Sequence, residues 1–413
     1  MEMQENRHAE LVSASENIEA PYELPEGWKW CRLPDCVSIV TGKKDANYGT
    51  PDGKYLFFTC AEQPLRCDDY SFEGESLLLP GNGANVGQVI YYDGQFEVYQ
   101  RTYVLQKINE SISLKYLYYH ILGFWENYNH DKQYGSATNY IKMGNFLNYI
   151  FPLPPTLAEQ QRIVNRIETM FAKLDQAQEK AQSVLDSFET RKAAILHKAF
   201  TGELTANWRK KNGVSDDSWE EKKIGECCKL GSGGTPSKSH TEYYENGDIP
   251  WLKTGEIDWN DIYDVEEKIT TAGVANSSAK IYPAESVVVA MYGMGVTRGK
   301  AGILKIPTTT NQAVCVLQPN KSLFNRYLFY YFMCNYWTFR EKAVGGNQLN
   351  YSATMISRWS IELPTITEQQ EIVRILDTVL EKEMQAKDVA QTVLDQIALL
   401  KKSILARAFR GEV

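Results

Sequence analysis

Apolar residues recur at heptad spacing over two stretches of the chain. The first runs Val164, Ile167, Phe171, Leu174, Ala181, Leu185, Phe188, Ile195 and Ala199; the second runs Val373, Leu376, Leu380, Ala390, Leu394, Ile397, Ile404 and Ala408. Polar residues fill most positions between, so each stretch predicts one long helix whose apolar stripe faces a partner helix. A proline precedes each, and Thr156 or Thr365 stands three residues before Glu159 or Glu368, a capping-box pattern. Gly202 and Gly411 follow as stop signals. About 44 residues at about 1.5 Å each predict a rod of roughly 65 Å. Glu383 and Lys387 interrupt the second stripe, which predicts a looser seam there.

The two stretches are copies of one another. Residues 155–204 and 364–413 align at a constant shift of 209, without a gap, with 23 identities in 50 positions. PTLAEQQRIV from Pro155 returns as PTITEQQEIV from Pro364, and the AFTGE of the first copy returns as AFRGE in the second. A duplicated pair of long amphipathic helices predicts an intramolecular antiparallel coiled coil.

The segments ahead of the rods are unlike in sequence and alike in layout. Each opens with tryptophan in a short amphipathic stretch, LPEGWKWCRL from Leu24 and DSWEEKKI from Asp217. A strand-like apolar run then meets a Gly-rich loop, SLLLPGNGANVG from Ser76 and SVVVAMYGMGVTRG from Ser286. A second apolar run follows a polar pair, in YQRTYVLQ and NQAVCVLQ. An aromatic-rich helical stretch leads to a Gly/Asn loop, YGSATNYI or VGGNQLNYS, and so to the rod. Short strands, turns and a few helices predict an α+β globule in each segment. The expected order is an N-terminal arm over 1–23, globules over 24–153 and 207–362, and rods over 154–206 and 363–413, an internal pseudo-two-fold repeat.

This order, with the PxxxEQQxIV entry to each rod, resembles the specificity subunit of type I restriction-modification enzymes. The GGTPSK loop at 233–238, the GDIPWLKTGEI run at 247–257 and the TNQAV run at 310–314 carry the same resemblance. It implies that each globule is a target-recognition domain reading one half of a split double-stranded DNA sequence. The rods would set the unread spacer and hold two copies of a modification subunit, which methylates adenine with S-adenosylmethionine. Restriction subunits can join such a complex. The specificity subunit itself is non-catalytic and carries no cofactor or metal, so that methyl donor belongs to the partner.

DNA contacts are expected from loops that combine glycine with amide, hydroxyl or basic side chains, since Gln and Asn pair with adenine edges and Arg with guanine. In the first globule these are Lys43 and Lys44; Asn82, Asn85 and Gln88; Gln100 and Arg101; and Thr138, Asn139 and Tyr140. In the second they are Thr235, Ser237 and Lys238; Thr297, Arg298 and Lys300; Asn311 and Gln312; and Asn347, Gln348 and Asn350. The first globule has TGKKDANY where the second has the GGTPSK loop, and YQR where the second has NQ. Two loops imitate nucleotide sites. GNGANVG at 81–87 has the wrong glycine spacing, and GMGVTRGKA at 293–301 has alanine where a phosphate loop needs Ser or Thr. The proline quartet of amino-methyltransferases and the helicase phosphate loop are absent from the chain.

Composition adds constraints. The eight cysteines form no CxxC pair, which argues against zinc. No run approaches a membrane span and the start lacks an apolar leader, so a cytoplasmic protein without membrane contact is expected. The net charge of −8 disfavours a polybasic DNA coat. Residues 1–23 hold one basic and six acidic side chains; residues 24–154 hold 11 and 14, and 207–363 hold 18 and 17. The globules are therefore close to neutral, and weak DNA binding by the chain alone is expected. The alternative function is a coiled-coil scaffold that presents two protein-binding globules.

Overall fold

In the computed structural model, which describes residues 21–134, 139–293, 295–341 and 351–413, each apolar stripe lies on one helix. These are Leu157–Phe200, of 44 residues, and Ile366–Ala408, of 43. At each start the threonine hydroxyl accepts the backbone N–H three residues on, Glu159 to Thr156 at 3.2 Å and Glu368 to Thr365 at 3.3 Å. The glutamate carboxylates are drawn elsewhere. Glu159 pairs with Arg162 at 2.9 Å, whereas the fully buried Glu368 accepts from Arg209 and from the Thr205 hydroxyl, both at 2.7 Å. Gly202 and Gly411 take positive φ just past the helix ends.

The chain divides into two compact units, Met1–Gln182 with Gln391–Val413, and Ser183–Ala390. Each long helix crosses this division, so each unit holds one globule, the start of the rod that follows it and the end of the other rod.

In the first unit a four-stranded antiparallel sheet runs in the order Val37–Thr41, Thr102–Lys107, Ser76–Pro80, Ile90–Tyr92. A second sheet runs Leu65–Cys67, Tyr55–Phe58, Gln95–Val98, Phe72–Glu73, its central pair parallel. Strand Lys29–Arg32 pairs with Ile150–Leu153 just ahead of the rod. The second unit repeats this plan on a different sequence. Its main sheet runs Cys228–Ser232, Val314–Pro319, Val287–Ala290, Ala301–Leu304, with Asp261–Ile262 added in parallel at the edge. Its smaller sheet runs Lys268–Ile269, Ile249–Leu252, Thr309–Thr310, and Glu220–Lys223 pairs with Ser360–Leu363 ahead of the rod.

The continuous apolar runs LLL and VVV are middle strands covered on both faces. Leu77 and Leu79 face a core shared with Tyr116, Leu117, Ile121 and Trp125 of the aromatic helix Leu114–Asn129, while Leu78 faces Phe58, Phe96, Val98 and Val104. Val287 and Val289 likewise share a core with Tyr327 and Leu328 of helix Asn325–Cys334, and Val288 and Ala290 pack with Leu252, Ile262 and Val316.

A buried glutamine ties each rod to its globule. Gln160 is fully buried; its amide oxygen accepts the Ser113 N–H at 2.8 Å and its amide nitrogen donates to the Ser111 carbonyl at 2.9 Å. Gln369, its copy, accepts from the Phe324 N–H at 2.8 Å and donates to the Ser322 and Pro364 carbonyls at 2.9 Å. Beside these bonds Tyr116 donates to the Pro152 carbonyl and Tyr327 to the Glu362 carbonyl, each at 2.8 Å.

Within each unit the two rod segments run antiparallel. In the second, Arg191 bonds Glu383 at 2.8 Å and the Lys387 ammonium lies 4.7 Å over the Phe188 ring. The polar interruption of the stripe is thus paired by the facing helix. In the first, Lys401 pairs with Asp175 at 2.6 Å and Arg162 donates to the Val413 carbonyl at 2.8 Å. Among the described residues no helix is long and apolar enough to cross a membrane.

Gln369→Leu should lower stability by about 3 kcal/mol, because it strands buried backbone groups, while the exposed neighbour change Gln370→Leu should stay within about 0.5 kcal/mol; urea unfolding of both measures this. Burial also lowers His120, bonded to the Tyr149 hydroxyl at 2.9 Å, to a pKa of about 3. Below about 6.5 the unfolded chain takes up a proton that the native imidazole refuses, so this contribution to stability is present above that pH and is lost as pH falls toward 3. A slope of up to about 1.4 kcal/mol per pH unit is expected in that window, and His120→Gln should flatten it in unfolding curves taken from pH 7 to 4.

Candidate nucleic-acid interface

Sheet register brings the loops together. Thr41 lies opposite Tyr103 and Pro80 opposite Thr102, so the loops after strands Val37–Thr41 and Ser76–Pro80, and the loop before Thr102–Lys107, leave one end of the main sheet. In the second unit Ser232 lies opposite Cys315 and Ala290 opposite Val314, and the corresponding three loops again leave one end. Gly42 and Gly233 begin the first of these loops at equivalent points. A Cβ on Gly42 would sit 1.9 Å from the Val98 carbonyl oxygen, and one on Gly233 would sit 1.7 Å from that of Thr310. Only glycine lets the chain cross there.

The loops are then tied to each other. The Gln100 N–H donates to the Lys44 carbonyl at 2.9 Å, and at the matching place the Thr235 hydroxyl donates to the Gln312 side chain. Gly81 donates to the Arg101 carbonyl at 2.8 Å and receives the Ile141 N–H at 3.0 Å. Met291 donates to Ala313 at 2.9 Å and receives Tyr351 at 3.1 Å, the same pair of bonds on other residues. Lys43–Lys44 therefore stands where Gly234–Thr235 stands in the second unit, and Arg101 stands where Ala313 does.

In the first unit Asn82, Gln100, Arg101, Tyr103 and Tyr140 line a cleft of about 360 Å³. Lys43, Gln100, Arg101, Asn139 and Tyr140 are exposed. Lys44 stands 4.0 Å over the Tyr48 ring, and the Tyr48 side chain raises its pKa. Asn85 donates to the Cys60 carbonyl at 2.8 Å and accepts from Gln88 at 3.0 Å, so this pair braces the loop. Gln100 also donates to Asp45 at 2.8 Å. Thr138 lies outside the described residues.

In the second unit Thr235, Ser237, Lys238 and Gln312 are exposed, and the Ser237 hydroxyl lies 2.8 Å from that of Ser239. Asn311 closes its own turn by accepting the Ala313 N–H at 3.0 Å, and Lys300 pairs with Asp258. Thr297 and Arg298 are half-buried, the Arg298 guanidinium 5.8 Å over the Tyr351 ring. Asn347, Gln348 and Asn350 lie outside the described residues. Both nucleotide-loop look-alikes turn out to join antiparallel strands, so neither opens a helix that would hold phosphates.

Some supporting residues escape a reading of the sequence. Lys142 stands 4.1 Å over Tyr134, which stacks on Tyr140 with centroids 5.5 Å apart. Arg340 donates to the carbonyls of Arg298 at 2.7 Å and Gly295 at 2.6 Å, and the Tyr336 hydroxyl donates to that of Val296. These residues lie some 40 positions from the loop they hold, and no local pattern links the two stretches.

Comparison with known proteins adds an independent line. A family model described as the type I restriction modification DNA specificity domain matches residues 25–185 and 216–390. The chain is 25% identical over 420 residues to the type I restriction enzyme EcoDI specificity subunit of Escherichia coli, covering 95% of this chain and 90% of that one. Among solved structures, a chain from a study of complex assembly and conformational transition in the type I R-M system superposes with a TM-score of 0.70 at 18% identity, covering 95% of this chain and all of that one. The HsdS subunit from Thermoanaerobacter tengcongensis superposes at 0.63, also 18% identical, over 96% of this chain and all of that one. Both structures share the fold.

Proposed function

The chain belongs to the type I restriction modification DNA specificity family, and we propose from this premise that each unit reads one half of a bipartite double-stranded DNA target. Family membership makes the chain a DNA-specificity subunit. The observation that carries the two-half reading is the repeated loop cluster: two unlike sequences build the same sheet end and set amides, hydroxyls and cations on it. Such groups suit the work, because amides and guanidinium groups discriminate base edges while lysines position the duplex on phosphates. Arg101 in place of Ala313, and Lys43–Lys44 in place of Gly234–Thr235, give the clusters different donors and so different half-sites.

The rods act as the ruler. Antiparallel segments in both units support one continuous coiled coil that fixes the distance between readers and so the unread spacer. Two modification subunits dock on the rods and supply S-adenosylmethionine and the adenine chemistry, and restriction subunits join that complex. The chain itself is non-catalytic. The scaffold alternative accounts for the rods but not for two loop clusters built of base-reading groups.

Co-expression with the modification subunit and methylome sequencing should yield one split motif methylated on adenine. An active complex that methylates no split motif would sink the reading. Exchange of residues 24–153 for another globule should change one half-site alone. Insertion of one helical turn into both rods should lengthen the gap and leave both half-sites intact; altered half-sites would remove the ruler. Removal of charge at Lys238, Arg298 and Lys300 should weaken DNA binding with assembly retained, and unchanged DNA binding would favour the scaffold.

A further inference from the structure

Val296 is an aliphatic side chain 57% exposed in the loop between strands Val287–Ala290 and Ala301–Leu304, inside the second unit's loop cluster. Three side-chain hydrogen bonds hold the backbone around it. Arg340 binds the carbonyls on either side, those of Gly295 and Arg298, and Tyr336 binds that of Val296 itself. The Arg340 guanidinium in turn lies 5.3 Å over the Tyr336 ring and 5.9 Å over the Trp337 ring. Gly299 donates to Ala290 at 2.8 Å and Lys300 to Thr297 at 3.1 Å, which closes the loop at its base. Gly293, Gly295 and Gly299 take φ of 145°, 60° and 91°, a path that side-chain-bearing residues rarely follow.

We propose that Val296 is a specificity residue that reads the 5-methyl group of a thymine in the second half-site. This rests on the DNA reading given above. A valine offers no hydrogen bond, so it cannot select among the donors and acceptors of the major groove. Thymine alone among the four bases presents a methyl group there. The β-branched side chain holds few rotamers, so little freedom is lost on contact. Its flanking residues, Thr297, Arg298 and Lys300, are of the kinds that bind phosphate or base edges. Arg340 and Tyr336 are positioning residues: they hold the carbonyls that aim the loop.

The test uses the assembled methyltransferase complex and duplexes of its own methylated target. Each thymine of the second half-site is replaced singly by deoxyuridine, which removes only the methyl group, and Kd and methylation kcat/KM are measured. One position should weaken wild-type binding about five- to tenfold. At that position Val296→Ala should bind the thymine duplex as weakly as wild type binds the uracil duplex, and should no longer distinguish the two. Arg340→Lys, which lacks the guanidinium fork that reaches both carbonyls, should lose much of the same discrimination while its response at thymines of the first half-site stays as in wild type. Uracil tolerated at every thymine, a second half-site with no A·T pair, or discrimination retained in Val296→Ala would each overturn the proposal while leaving sequence-specific binding in place. A complex that binds no split target at all overturns the DNA reading as well, so the two failures are distinguishable.

Discussion

In each unit a buried glutamine ties the rod to the globule. An amide side chain shut away from water must satisfy both its ends, and Gln160 and Gln369 do so by gripping the loop before the aromatic helix of their own globule. That grip sets where the rod leaves the globule. The aromatic helix packs under the main sheet, so the same bonds set where the sheet's loop-bearing end lies relative to the rod. A reader of two separated half-sites needs that relation to be rigid, and a polar group with one acceptable set of partners specifies geometry more narrowly than apolar packing does.

The two units reach the same architecture with few shared residues outside the rods. Equivalent backbone bonds recur at Gly81 and Met291 and at Ile141 and Tyr351, on side chains that have nothing in common. Backbone bonding makes the frame and leaves the side chains free to differ. On the proposed reading, the frame would fix position and the loop residues would choose the base. The close approach at Gly42 and Gly233 is where a side-chain identity is still imposed by the frame.

Charge is spread unevenly along the chain. Five of the eight excess negative charges sit in residues 1–23, and the globules are nearly neutral. Several cations of the loop clusters are spent on aromatic rings or carboxylates, as Lys44 is over Tyr48 and Lys300 with Asp258. What remains suits discrimination more than adhesion, and a complex that holds a duplex strongly would draw its phosphate contacts from the modification subunits.

Periodicity and self-comparison were enough to place the rods, their caps and their duplication, because a heptad stripe and a capping threonine are local signals with a direct physical meaning. The strand-like runs and Gly-rich loops of both globules were legible for the same reason. The buried role of Gln160 and Gln369 was not, since a glutamine inside EQQ reads as a solvated helix residue until the loop it binds is seen. Nor were Arg340 and Tyr336, whose partners lie some 40 residues away, or the pairing of Glu383 and Lys387 with Arg191 and Phe188 across two helices. Those contacts join residues distant in sequence, and distance in sequence carries no energy. Their partners were decided only when the chain folded and desolvation forced each buried polar group to find one.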